Sequence, residues 1–137
     1  MKKIINAPEN FVDEVMDGIF AAYGDRVTFY NGDKRILIKS TPTKPGKVGI
    51  VTGGGSGHLP VFLGYVGQGM ADGCTVGNVF ASPSSQRMFD SIKACNYGSG
   101  VLCLYGNYGG DNMNFSMACE MAEMEDIPTR IVKVADD

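Results

Sequence analysis

The chain has 137 residues, 44% of them hydrophobic and 20% charged, which is enough for one domain with its own core. Its formal net charge is −3, so the overall charge favours neither nucleic acid nor an anionic membrane surface. Four cysteines without a CxxC pair, and a single histidine, leave little for a zinc site; they read as four small, buried, reduced thiols.

Met1-Lys2-Lys3-Ile4-Ile5 opens like a signal peptide, but Asn6, Pro8 and Glu9 end the apolar run at once. No later stretch approaches the length of a membrane span, and a cytoplasmic location is expected. Residues 8–23 read as a helix: Pro8 suits its first turn, and Phe11, Val12, Val15, Ile19 and Phe20 form a stripe at helical spacing. Gly24 is its expected stop. Residues 26–30 and 36–38 read as short strands, with Asn31-Gly32-Asp33 as the turn of a hairpin. Two prolines mark residues 41–46 as a loop.

A different rhythm begins at Lys47. A strand over 47–52 leads into the glycine run Gly53-Gly54-Gly55-Ser56-Gly57-His58, read as a loop, and then a short helix over 60–66. Residues 75–80 form a second strand, and residues 83–95 a helix capped by Ser82 with Pro83 at its first position. A third strand spans 101–105, a helix runs from about Asp111 to Glu125, and a fourth strand spans 130–135. The pattern predicts an α/β three-layer sandwich: a mostly parallel sheet with helices on both faces, preceded by an N-terminal helix and a short hairpin.

Ligands in such sheets bind beyond the carboxyl ends of the strands. Those ends carry Gly53–His58, Ala81-Ser82, Gly106–Asp111 and Asp136-Asp137, so the two glycine-rich segments are expected on one rim. The glycines allow close backbone approach and positive φ, and the loop is expected to aim N–H groups at a ligand. No Gly-Lys-Ser/Thr follows, so it is not a Walker A loop, and a dinucleotide fingerprint is only weakly approached. A tight strand-to-helix turn is the bland alternative.

His58, at the end of this run, is either a satisfied histidine or a general base taking a proton from a substrate hydroxyl. Asp111 either caps the helix it precedes or accepts a hydrogen bond from a substrate hydroxyl. Asn107 and Asn114 either contact ligand or satisfy local backbone. Ser82-Pro83-Ser84 either touches a phosphate or caps its helix. Met113, Met117, Met121 and Met124, at i, i+4, i+8 and i+11, read as packing. Glu120, Glu123, Glu125 and Asp126 read as a solvated face.

Four segments in order, Gly53–His58, Gly64–Met70, Ala81–Pro83 and Asn107–Asp111 with Asn114-Phe115, resemble the substrate-binding (DhaK-like) subunit of dihydroxyacetone kinases over nearly the whole chain. The resemblance implies an enzyme that phosphorylates dihydroxyacetone or a related short ketose on a terminal hydroxyl. It assigns acid–base work to His58, orientation of the substrate to Asp111, and the pocket lining to Gly55, Ser56, Gly57 and Gly106. It implies no metal or cofactor on this chain: ATP-magnesium belongs to a separate phosphoryl-donor domain or subunit (DhaL-like), sometimes recharged by a phosphotransferase-system protein. It also implies a homodimer.

Three features depart from the family pattern. Gly106 stands where relatives acting on dihydroxyacetone usually carry lysine, and Leu59 where a glutamate commonly follows the histidine. The Tyr105-Gly106-Asn107-Tyr108 version resembles the branch acting on four-carbon ketoses such as erythrulose. The second histidine through which the family binds its ketose covalently has no counterpart here. Together with an end directly after the last strand, this reads as residues 1–137 forming the N-terminal part of a longer ketose kinase subunit, inactive alone. A catalytically inactive ketose-binding paralogue, acting as sensor or transcriptional co-regulator, is the second reading. A generic nucleotide-binding domain is the third, and neither a nucleotide lysine nor a ribose acid supports it.

Overall fold

A computed structural model describes residues 2–135; the Asp136-Asp137 end of the predicted rim lies outside the described residues. Nine regular elements follow in order: helix α1 (Phe11–Tyr23), strands β1 (Val27–Tyr30), β2 (Asp33–Lys39), β3 (Gly49–Gly55) and β4 (Gly73–Gly77), helix α2 (Ser85–Ala94), strand β5 (Val101–Gly106), helix α3 (Gly109–Met124) and strand β6 (Thr129–Val134). The six strands form one sheet in the order β1-β2-β4-β3-β5-β6. The β3–β4, β3–β5 and β5–β6 pairs are parallel, and the hairpin β1–β2 adds itself antiparallel to β4. Asn31 and Gly32, with φ of 50° and 76°, turn that hairpin tightly.

Helices α2 and α3 cover one face. Val51, Cys103 and Tyr105 point from the sheet into a core with Met88, Ile92, Phe115 and Ala118. Helix α1 covers the other face over the hairpin side, packing Val12 and Met16 against Leu37, Cys74 and Val76. Of the methionine stripe of α3 only Met121 packs against the core; Met113, Met117 and Met124 are exposed. The buried stripe is Asp111, Phe115, Ala118 and Ala122, whose alanines let the helix approach the sheet closely. The acidic residues 120, 123, 125 and 126 are solvated, as expected.

At the end of the sheet opposite the strand carboxyl termini, Asp72 is fully buried. It accepts from Lys39 Nζ at 2.8 Å, from Lys47 Nζ at 2.7 Å and from the Ile50 N–H at 2.8 Å. This triad ties the end of β2 to the starts of β3 and β4.

All four cysteines are free thiols, and three are buried. The exception, Cys119, lies 3.8 Å from Cys103, sulfur to sulfur. The hydrogen bond with Cys103 lowers its pKa to about 7, against burial, which raises it. The same contact and burial push Cys103 up, and burial does the same to Cys74 and Cys95. Iodoacetamide at neutral pH should therefore label Cys119 first, read by peptide mass spectrometry; prior labelling of any other cysteine would contradict this arrangement.

Candidate functional site

Strand β4 lies on one side of β3 and β5 on the other, so the chain reverses direction across the sheet between β3 and β5. The crevice beyond those two carboxyl ends is where an open α/β sheet holds a ligand. The glycine run ends at one wall of it, and Gly106 at the other.

The run is not the open loop its composition predicts. Strand β3 extends through Gly55, in register with β4, with Gly53 opposite Thr75 and Gly55 opposite Gly77. None of Gly53, Gly54, Gly55 and Gly57 has a positive φ. Their reason is steric: a Cβ at Gly53 would strike Thr75, one at Gly54 the Phe62 ring, and one at Gly57 the Val79 carbonyl. Nor are the N–H groups after the strand free for an anion. Ser56 donates to the Asn78 carbonyl at 3.1 Å and Gly57 to that of Val79 at 2.9 Å. The predicted cradle of N–H groups aimed at a ligand is absent at these two positions. A 3-10 turn over Ser56–His58 and another over Leu63–Tyr65 replace the predicted helix, since Pro60 lacks an N–H and Gly57, Gly64 and Gly67 disfavour a continuous one.

His58 emerges from the first of these turns with its side chain at the surface. Its ring meets Phe62 edge-on at 5.7 Å and lies 4.7 Å from the Tyr108 ring, tilted by 35°. That second contact spans the crevice from β3 to β5. Two segments fifty residues apart thus do converge.

Asp111 does not cap α3, which begins two residues earlier with Tyr108 as its cap. It stands inside the first turn, 2% exposed. Burial raises its pKa above the usual 3.8, while the Ser82 hydroxyl donating to it and the charge of His58 pull it back. The imidazole and the carboxylate therefore sense each other across one rim. The Asp111 Oδ1 has no hydrogen-bond partner among the described residues. Neither have two other buried atoms at the same strand ends, Ser56 Oγ and Tyr105 Oη. Burial pushes the Tyr105 hydroxyl up to about 12, so it remains a neutral donor. Buried polar atoms without protein partners point to a polar ligand or to ordered water.

Ser82 was expected to cap α2, but Ser84 does so, accepting from the Arg87 N–H. Releasing Ser82 puts its hydroxyl on Asp111. Asn114 clamps the same segment, donating to the Pro83 carbonyl at 2.7 Å. Asn107 accepts from Asn112 at 3.0 Å, so both asparagines serve local structure. Sequence reading placed Tyr108 on the rim but missed its contact with His58, and it missed Tyr105 and Phe62 as rim residues; the glycines opposite the Phe62 and Tyr108 rings are the signal that could have found those contacts.

The site has a cost that can be measured. A raised aspartate pKa contributes stability below pH 3.8 that is lost as pH rises through the folded value. At neutral pH the ionised Asp111 is thus a liability, and Asp111→Asn should be more stable by about 1 kcal/mol and unfold at a higher temperature. The gap should close as pH falls towards 4. A thermal midpoint for the variant at or below wild type at pH 7 would contradict the burial described here.

Residues 17–137 match the Dak1 domain. The chain belongs to the Dak1 domain family. It is 46% identical, over 99% of its length, to the dihydroxyacetone-binding subunit DhaK of the PTS-dependent dihydroxyacetone kinase of Lactococcus lactis, and covers 40% of that protein. It is 42% identical over its whole length to an L-erythrulose kinase of Pectobacterium atrosepticum, covering 23% of it. Its fold superposes with a TM-score of 0.91 on the dihydroxyacetone kinase of C. freundii in complex with AMP-PNP and Mg2+, at 32% identity over 99% of this Dak1 chain and 26% of that one. It also resembles a dihydroxyacetone kinase operon co-activator, with a TM-score of 0.81 and 33% identity over 88% of this chain and 36% of that one. This Dak1 chain therefore spans under half the length of each of these relatives. No helix among its described residues is long and apolar enough to cross a membrane.

Proposed function

We propose that this Dak1 chain is the ketose-binding part, and the N-terminal part, of a cytoplasmic kinase that phosphorylates dihydroxyacetone or a related short ketose such as erythrulose on a terminal hydroxyl. The observation that carries the reading is the exposed imidazole of His58 on the same rim as the buried, half-satisfied carboxylate of Asp111. A polyhydroxylated substrate supplies what that rim lacks: hydroxyl donors for the Asp111 Oδ1 and Ser56 Oγ. Bound so, its terminal hydroxyl lies within reach of His58, which takes the proton as the oxygen attacks phosphorus.

Gly55, Ser56 and Gly57 form the backbone wall of this pocket, and Gly106, covered by the Tyr108 ring, stands at the opposite wall. ATP-magnesium belongs to a phosphoryl-donor domain or subunit docking over the rim, with a phosphotransferase-system protein as the alternative source of phosphoryl groups. The working assembly is a homodimer of the ketose-binding subunit. The names of the kinase relatives support this reading at 42–46% identity. The second reading, a ketose-binding co-regulator without catalysis, draws on the co-activator likeness at 33% identity.

The deciding experiment presents three- and four-carbon ketoses to the intact protein with ATP-magnesium and its donor partner. Phosphorylation of dihydroxyacetone or erythrulose is the expected result. Ketose binding without transfer to any of them would favour the co-regulator, and no ketose binding at all would sink both.

A further inference from the structure

An acid–base histidine needs a fixed ring orientation, and a hydrogen bond from its second nitrogen usually supplies it. His58 has no side-chain hydrogen bond among those found for the described residues; its ring is instead flanked by two aromatic rings. Each of those rings rests on a glycine at a strand end. The buried Phe62 ring occupies the space a Cβ on Gly54 would take. The Tyr108 ring lies over Gly106, where a Cβ would come within 2.7 Å of its Cε2. Gly54 and Gly106 sit near the carboxyl ends of β3 and β5, the two strands that frame the crevice.

We propose that Phe62 and Tyr108 form an aromatic bracket that holds the His58 imidazole in its working orientation, and that Gly54 and Gly106 are the seats on which the two rings rest. Tyr108 is thereby a positioning residue rather than a catalytic one. The inference rests on the ketose-kinase reading only for the purpose His58 serves; the bracket itself is a statement of geometry. Both rings also line a cavity of 520 Å3 with mostly apolar walls, among them Ile50, Leu104 and Val134. Those walls offer little to a sugar's hydroxyls.

The ring protons of His58 read the bracket, and in the intact protein they are assigned by their loss in His58→Gln. In wild type these should show ring-current displacement and cross-peaks to Tyr108. Tyr108→Phe should keep the displacement, whereas Tyr108→Ala should abolish it. Gly106→Ala should abolish it too, with the tyrosine still present, because the added methyl unseats the ring. In the kinase assembly, Tyr108→Ala should lower kcat about 2- to 10-fold, the worth of one aromatic pair, with Tyr108→Phe near wild type.

His58 resonances unchanged between wild type and Tyr108→Ala, in protein that remains folded, would overturn the bracket whatever the activity. An intact bracket in the spectra, with no ketose phosphorylated by any form, would uphold the bracket and overturn the kinase reading instead.

Discussion

His58→Ala should lower ketose phosphorylation about 10²–10⁴-fold in the complete kinase, the usual worth of a positioned acid–base group. On the proposed reading the loss should fall on kcat, because the imidazole would act on the reacting hydroxyl, while the Asp111 carboxylate and Ser56 hydroxyl proposed to grip the substrate remain. Folding should be unaffected, since the side chain is at the surface and its neighbours Phe62 and Tyr108 keep their glycine seats. Steady-state kinetics beside a thermal unfolding curve separate the two effects. Turnover within a few-fold of wild type would remove His58 from the chemistry and leave the rim a binding site.

The largest stability effect should come from the opposite end of the sheet. Asp72→Ala leaves Lys39, whose side chain is 8% exposed, as a buried charge without a counter-ion. Breaking a buried pair from one side costs about 3–5 kcal/mol, a large part of a small domain's total. Burial raises the Asp72 pKa, but hydrogen bonds from Lys39, Lys47 and the Ile50 N–H outweigh it and hold the carboxyl below 3.8. The stabilisation is thus present above that value and lost as pH falls through the lower folded one. Urea unfolding at pH 7 should show the full deficit, and the difference between variant and wild type should narrow in strong acid. A loss under 1 kcal/mol at pH 7 would mean both lysines escape to water.

Periodicity made most of the architecture legible. The α1 helix, the Asn31-Gly32 turn and the alternation of strand and helix from β4 onward stand in the structure, whereas the 60–66 helix does not, and Met16 rather than Phe20 is buried on α1. Misreadings came where a local signal met a tertiary demand. Ser82 and Ser84 are both good caps, and only the packing of α3 on Ser82 decides between them. The methionine spacing in α3 is helical, but the sheet selected the neighbouring stripe of smaller side chains. Glycine composition spoke for a loop, whereas the run continues a strand whose neighbours leave no room for side chains.

His58 and Asp111 stood out because one is the sole histidine and the other follows a glycine turn. Tyr105 read as an ordinary strand residue, since nothing in its alternation betrays an orphaned hydroxyl. The Phe62 and Tyr108 contacts depend on which glycine each ring covers, and that is a property of three dimensions.

The crowding along β3 also shapes how this protein tolerates change. Side chains at Gly49, Gly53 or Gly54 would collide with Cys95, Thr75 or Phe62. A saturation-mutagenesis survey should therefore find these positions nearly as intolerant as His58, for an unrelated reason. Their variants would vanish from the soluble pool, whereas His58 variants would persist as abundant, inert protein. Scoring abundance alongside growth would separate the architectural glycines from the chemical residue in a single pooled experiment.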